Sequence, residues 1–461
     1  VGPGPKDLNK WWERNNGLKY KGVEYNVGPS PDNLVLNLVN EVEYVTTPLW
    51  NVIGVINGTL LDEVVVIGNH RDAWIAGGAG DPNSGSAALN EVIRSFGVAL
   101  SKGWKPLRTI VFASWDGEEY GLIGSTEWVE EYLPWLTHAN VAYVNVDVGT
   151  TGPRFSASAS PLLNKVLYEI TGIVPSPNQT IPGQTVRDTW NGHISTMGSG
   201  SDFTAFQDFA GIPSIDMGFG PDVNHEGTHG AVYQYHSNYD SFHWMSTYGD
   251  PGFHYHATIA KIWALYTAKL AEAPVIPFNA TDYADALKKY IETVESKVES
   301  AIMGITSEAE DLEARARPTI ALSSSTGSLH TLKLSFHKLY HAVAALQTAA
   351  AQHDSHASAL AEKAGENIPW WKWATKIKLY YQVRKVNDKY KYLERQFLYK
   401  KGLDGRPWFK HVVFAPGLWT GYAGAVFPGL VEAIDAKDYE NAGKWVDIIG
   451  KALRQAAKSL E

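Results

Sequence analysis

The chain has 461 residues, 44% hydrophobic and 19% charged, which is enough for a buried core and too long for one ordinary domain. A net charge of −9 and the lack of a basic block argue against a nucleic-acid surface, and no apolar run approaches the ~18 residues of a membrane span. Cysteine is absent, so disulfides, thiol catalysis and thiolate ligands are excluded together, and any metal must be held by His, Asp and Glu.

The first residue is Val and no signal-peptide pattern follows it, so the chain is expected to be a trimmed piece of a longer precursor. Residues 1–45 mix Gly, Pro, Asn and aromatics around one alternating run, "LVLNLVNEVEYV", and read as the tail of a domain that begins upstream. Between 46 and 275, strand-like runs ("NVIGVI", "EVVVIGNH", "RTIVFASW", "VAYVNVD") alternate with helical spacing in "SGSAALNEVIRSFGVAL" and "GLIGSTEWVEEYL". That order predicts an α/β domain with a mixed, largely parallel sheet flanked by helices. From 276 to 461 the texture becomes helical, as in "DYADALKKYIETVESKVESAI", "TLKLSFHKLYHAVAALQTAA" and "YYQVRKVNDKYKYLERQFL", and predicts an α-helical bundle. Its histidines (His330, His337, His341, His353, His356) share no carboxylate pattern and read as ordinary surface or core residues. Sequons at Asn57, Asn178 and Asn279 lean toward a secreted protein, or one on the lumenal or extracellular face of a membrane-anchored precursor.

In such a sheet, ligands bind beyond the C-terminal ends of the strands. Three strands deliver ionisable groups there: His70 and Asp72 after "VVVIGN", Asp116, Glu118 and Glu119 after "TIVFASW", and Asp147 after "AYVNV". These groups repel one another unless a cation sits among them. With Asp81 in the glycine-rich loop and His236 downstream, the donors exceed the four that one zinc needs and fit two metals sharing a carboxylate. The Glu118-Glu119 doublet offers one residue for metal and one for a water proton, although two acids at a helix start also suit the helix dipole. Asp72, two residues after His70, is expected to accept the other imidazole N–H. Asp81 precedes Pro82, which allows a cis bond there. "HEGTH" (His225–His229) matches the single-zinc helix motif, but Gly227 within it and Gly230 after it make the setting a loop.

Taken in order, "GNHRDAW…GDPNSG", "FASWDGEEYGLIGSTEW", "VNVD", "GSGSDF" and "YHSNYDS" resemble the co-catalytic dizinc exopeptidases, in the branch of glutamate carboxypeptidase II and the transferrin receptor. The resemblance runs from about Trp50 to the C-terminus, with "YAGAVFPGL" also fitting. It implies one zinc held by His70 and Asp147, another by Glu119 and His236, and Asp81 bridging them. It implies Glu118 as general base and acid, Tyr235 as an oxyanion donor, and Gly200, Ser201 and Tyr422 at the substrate pocket. Glu127 and Glu130 match part of a calcium site. The resemblance further implies a peptide substrate, a homodimer formed through the helical domain, and an associated N-terminal apical (protease-associated) domain or fragment.

The departures concern the substrate. Gly421 stands where the glutamate-selective enzymes carry a lysine, Ser201 stands for an asparagine, and Ser156, Asp216 and Gly218 align with their arginine patch. The expected activity is therefore a zinc-dependent exopeptidase, glutamate carboxypeptidase-like without selectivity for glutamate. An aminopeptidase on the same two metals is the alternative, and a non-catalytic receptor-like binding protein is the alternative of another class.

Overall fold

The computed structural model describes residues 19–22, 29–222, 232–314, 320–419 and 421–461. The chain forms two compact units, Val1–Pro48 and Leu49–Glu461. In the first, the alternating run from 34 to 45 forms no strand, and Val35, Leu36 and Leu38 are exposed. Alternation makes a strand only where a neighbouring strand takes up the backbone N–H and C=O groups.

The second unit holds a seven-stranded sheet in the order β1-β3-β2-β4-β7-β5-β6. The strands are β1 (Val52–Ile56), β2 (Leu60–His70), β3 (Arg108–Trp115), β4 (Asn140–Asn145), β5 (Arg154–Ala159), β6 (Ile194–Ser195) and β7 (Ser214–Gly220). β2 lies parallel between β3 and β4, and β7 continues parallel to β4. β1 is antiparallel to β3, and β5 is antiparallel to β7, so the sheet is mixed and largely parallel as predicted.

The central strands read as near-continuous apolar runs because both faces are covered. Val65 and Ile67 point to a core shared with Leu89, Val92, Ile259 and Trp263, from the helices Asn83–Ser101 and His254–Glu272. Val64 and Val66 point to the other face, against Val129, Leu136 and Phe206.

Four long helices follow: Ala280–Ala314, Ile320–Gly365, Trp373–Leu393 and Tyr439–Leu460, with the second packed on the other three. Among the described residues no helix is long and apolar enough to cross a membrane. Buried polar groups tie this helical part to the sheet. The Glu394 carboxylate accepts hydrogen bonds from Ser160 Oγ (2.6 Å), Gln207 Nε2 (2.7 Å) and Tyr283 Oη (2.8 Å), and His411 Nε2 lies at 3.0 Å. All four partners are satisfied by one carboxylate, which fixes the layers relative to each other.

Candidate metal centre

The register of three parallel strands assembles the site. His70 stands opposite Trp115 on β3, and Gly68 opposite Asn145 on β4, so the residues just beyond each strand emerge at one edge. After β3, Gly117 takes φ +69° and turns the chain back, presenting Glu118 and Glu119. Asp147 lies two residues past β4, and Asp81 returns to the same edge on the loop before the Asn83–Ser101 helix, followed by a cis Asp81–Pro82 bond.

The five predicted ligands and Glu118 meet there in two groups, His70 with Glu118 and Asp147, and Asp81 with Glu119 and His236. His70 Nε2 lies 2.9 Å from Asp147 Oδ1 and 3.1 Å from Asp81 Oδ1. His236 Nε2 lies 3.3 Å from Asp81 Oδ2 and 3.1 Å from Glu119 Oε2. Asp81 thus turns one oxygen to each imidazole.

This donor set fits divalent cations. His70 Nδ1 donates to the carbonyl of Asp72 at 3.0 Å, so in a neutral ring Nε2 is a lone pair facing two carboxylate oxygens. Such an arrangement is repulsive unless a positive charge sits between them. Without a metal the protein supplies that charge as protons. Burial opposes ionisation of His70, but the Asp147 and Asp81 carboxylates drive it strongly upward. Burial, then the Asp147 charge, push Glu118 up to about 10, and burial and Asp81 push Glu119 to about 7. Asp202, and Asp216 in the cavity wall, rise to about 7 chiefly through burial. Asp81 Oδ1 and Glu119 Oε1 are buried without a hydrogen bond, as ligand atoms are in the absence of their ion.

One supporting residue differs from the expectation. The Asp72 carboxylate stands 3.7 Å from His70 Nδ1, whose hydrogen bond goes to the Asp72 backbone carbonyl instead. The carboxylate accepts the backbone N–H groups of Glu118 (3.0 Å) and Glu119 (3.1 Å), holding the acidic doublet in place. It can do so because the doublet lies on a turn with free amides. Ser201 is buried, and its hydroxyl takes the side-chain N–H of Asn145 at 2.8 Å, which leaves it a wall residue tied to the strand beneath.

Sequence reasoning missed Asp240. Its carboxylate accepts Gly80 N at 2.7 Å, Asp81 N at 3.0 Å and the Tyr233 hydroxyl at 3.0 Å, so it anchors the loop that carries Asp81. The available signal was an acid four residues after His236 in "YHSNYDS". Asn69 plays the matching part for Asp147, donating to the carbonyls of Val146 (2.9 Å) and Asp147 (3.0 Å).

The groups open into a cavity of about 1010 Å3, lined also by Trp74, Gly200, Ser201, Tyr235 and Tyr422. Tyr235 stacks on the His236 ring with centroids 3.7 Å apart, and its hydroxyl is 3.3 Å from that of Tyr422. His236 itself is held in the left-handed region at φ +50°, a strained conformation for a residue with a Cβ. Gly200 has φ +96°, and a Cβ there would stand 2.1 Å from the Tyr422 ring, so glycine is required for the close approach. Glu127 and Glu130 lie away from these groups on the helix Ile123–Glu131. Glu127 is exposed, and Glu130 accepts the indole N–H of Trp408 at 2.6 Å. Neither belongs to a metal-ligating group among the described residues. The helical-domain histidines also form none, and His353 is buried against Tyr390. "HEGTH" lies outside the described residues.

Residues 51–249 match Peptidase family M28, and residues 334–461 match the transferrin receptor-like dimerisation domain. The two matches together fit the glutamate carboxypeptidase and transferrin-receptor branch of that peptidase family. It is 41% identical over 438 residues to a "Probable glutamate carboxypeptidase" of Arthroderma benhamiae, covering 94% of this chain and 54% of that one. It is 31% identical over 479 residues to "Aminopeptidase NAALADL1" of Mus musculus, covering 98% and 58%. The chain therefore spans about half the length of these curated relatives. Among solved structures, a zinc aminopeptidase from Bacillus subtilis aligns over 48% of this chain and 50% of that one, with 19% identity and a TM-score of 0.37.

Proposed function

We propose that this chain carries the catalytic part of a zinc-dependent exopeptidase that cleaves peptide bonds near a chain terminus. The observation that carries the reading is Asp81 placed between His70 and His236, each imidazole completed by its own carboxylate, with Glu118 beside them. Two zinc ions would be held by His70 and Asp147, by Glu119 and His236, and by Asp81 between them. Bound there, zinc supplies a water of lowered pKa and a Lewis acid for the scissile carbonyl. Glu118, grouped with His70 and Asp147, would take a proton on its carboxylate from the attacking water and give it to the leaving nitrogen. Tyr235, fixed by its stack on His236, directs its hydroxyl to the oxyanion. Asp72, Asp240 and Asn69 are positioning residues for Glu118, Asp81 and Asp147.

A carboxypeptidase is the favoured polarity, because Tyr422 and Gly200 wall the cavity beside Tyr235 and offer a hydroxyl to a terminal carboxylate. An aminopeptidase is the second reading, supported by the name of the mouse relative. The retained donor set and Glu118 stand against a non-catalytic receptor. Pairs of dipeptides with free and blocked amines decide the polarity. Cleavage of N-blocked substrates by the zinc-loaded protein is expected, and cleavage confined to free amines overturns it.

The same reading includes a homodimer through residues 334–461, an N-terminal domain or fragment completing the cavity wall, and an extracellular or lumenal glycoprotein. Asn57 and Asn178 are exposed, as glycan acceptors must be, whereas Asn279 uses its side-chain oxygen to accept the Asp282 N–H at 2.8 Å. Any calcium held by Glu127 and Glu130 would need further oxygen donors beyond these two carboxylates.

A further inference from the structure

The cavity has a second charged feature away from the metal groups. On β7, Ile215, Met217 and Phe219 face the core, so Asp216 and Gly218 face the opposite side and line the cavity. On β5, Phe155, Ala157 and Ala159 face the core, so Ser156 and Ser158 also line it. The antiparallel register sets Ser158 directly across from Asp216, and Ser195 on β6 stands beside Ser158. Two hydroxyls and one carboxylate thus form a row across three strands.

Nothing positive balances that row. Among the described residues no lysine or arginine lines the cavity. Arg154, two residues before Ser156 on the same face, is paired with Asp222 at 2.9 Å. Beside Asp216 the Val148 backbone packs close, since a Cβ on Gly218 would stand 2.3 Å from the Val148 carbonyl and only glycine fits. Asn145 Nδ2 (2.9 Å) and Asp147 N (3.3 Å) both donate to Asp216 Oδ1, which leaves Oδ2 able to accept from a ligand. Acceptors in a row, without donors of positive charge, suit a side chain that carries several N–H groups.

We infer that Asp216, with Ser158 and Ser195, forms a subsite that selects a cationic substrate residue, arginine or lysine, beside the scissile bond. The inference rests on the exopeptidase reading above and extends it to the substrate side chain. In this role Asp216 is a specificity residue, in addition to supporting the backbone of Asp147.

Substrates differing in charge but not in size test it. Peptides carrying arginine or citrulline, placed in turn on either side of the scissile bond, are assayed with the zinc-loaded protein. Arginine is expected to exceed citrulline about tenfold in kcat/KM at one of the two positions at low salt, with the ratio shrinking as ionic strength rises. Asp216→Asn is expected to bring the ratio to within about twofold of one. The ratio is taken within each protein, so a general loss of rate through Asp147 does not move it. A wild-type ratio of one or less at both positions overturns the inference. So does an unchanged ratio in folded, zinc-bearing Asp216→Asn. If none of the peptides is cleaved, the exopeptidase reading itself falls, an outcome distinct from cleavage without charge preference.

Discussion

Asp240 Oδ2 accepts the backbone N–H of Asp81 at 3.0 Å, and the same carboxylate accepts that of Gly80 at 2.7 Å. An acid 159 residues away thus fixes the loop that places a carboxylate between two imidazoles. Asp240→Ala is expected to weaken zinc binding by about 10–100-fold, the usual cost of losing a partner that orients a ligand. Competition with a calibrated chelator measures it. Unchanged affinity would show that the loop holds Asp81 without Asp240.

Glu118→Gln removes the proton carrier and keeps the shape. Activity on a good peptide is expected to fall by about 10²–10⁴ in kcat, with zinc content unchanged and KM little altered. Metal analysis run alongside the kinetics separates this from ligand loss. His70→Ala and His236→Ala are expected to lose zinc as well as activity. Should Glu118→Gln retain near-normal kcat, the proton carrier lies elsewhere.

The strands and long helices were legible because their apolar periods are strong. β2, β3 and β4 are β-branched runs buried on both faces, and the helices from 280 onward repeat at i, i+3, i+4 and i+7. The donors of the metal centre were visible as groups emerging at strand ends, since parallel register alone brings His70, Glu118 and Asp147 to one edge.

What escaped was set by long-range hydrogen bonds that leave no local period. The Asp240 clamp joins residues far apart in the chain, and nothing around "NYDS" marks that acid from any other. The Asp72 carboxylate was expected on an imidazole two residues away, yet the free amides of a glycine turn 46 residues on compete better for it. Residues 34–45 show the reverse failure, a strong local pattern with no strand to pair it.

The metal-free site predicts an unusual pH dependence. Glu119 rises from an ordinary carboxylate value to about 7 and Glu118 to about 10, so the folded, metal-free protein binds more protons than the unfolded chain above about pH 4.5. His70, raised above its ordinary value, acts in the same sense above about pH 6.5. Stability of the chelator-treated protein must then fall as pH rises from about 5 to 8. Zinc replaces those protons and is expected to flatten the slope. Thermal melts across that window, with and without zinc, check it. A metal-free Tm that rises toward pH 8 contradicts the crowded-carboxylate account.

Glu63 and Arg108 form an ion pair in which both side chains are fully buried, with Arg108 Nε 2.6 Å from Glu63 Oε2. Arg108 also donates to the carbonyls of Leu270 (2.9 Å) and Ala273 (2.6 Å), and Glu63 Oε1 takes Arg384 Nη1 at 2.7 Å. The pair therefore joins β2 and β3 to the end of the His254–Glu272 helix and to the Trp373–Leu393 helix. Breaking a buried pair leaves a charge without compensation, so Glu63→Gln is expected to destabilise by about 3–5 kcal/mol. Replacing both partners with apolar residues removes the orphaned charge, although the Leu270 and Ala273 carbonyls then lose a donor. Denaturant titration should show the Glu63→Leu/Arg108→Leu double variant costing less than the sum of its single variants. Strict additivity would mean that the two side chains stabilise the fold independently, through their other partners rather than through each other.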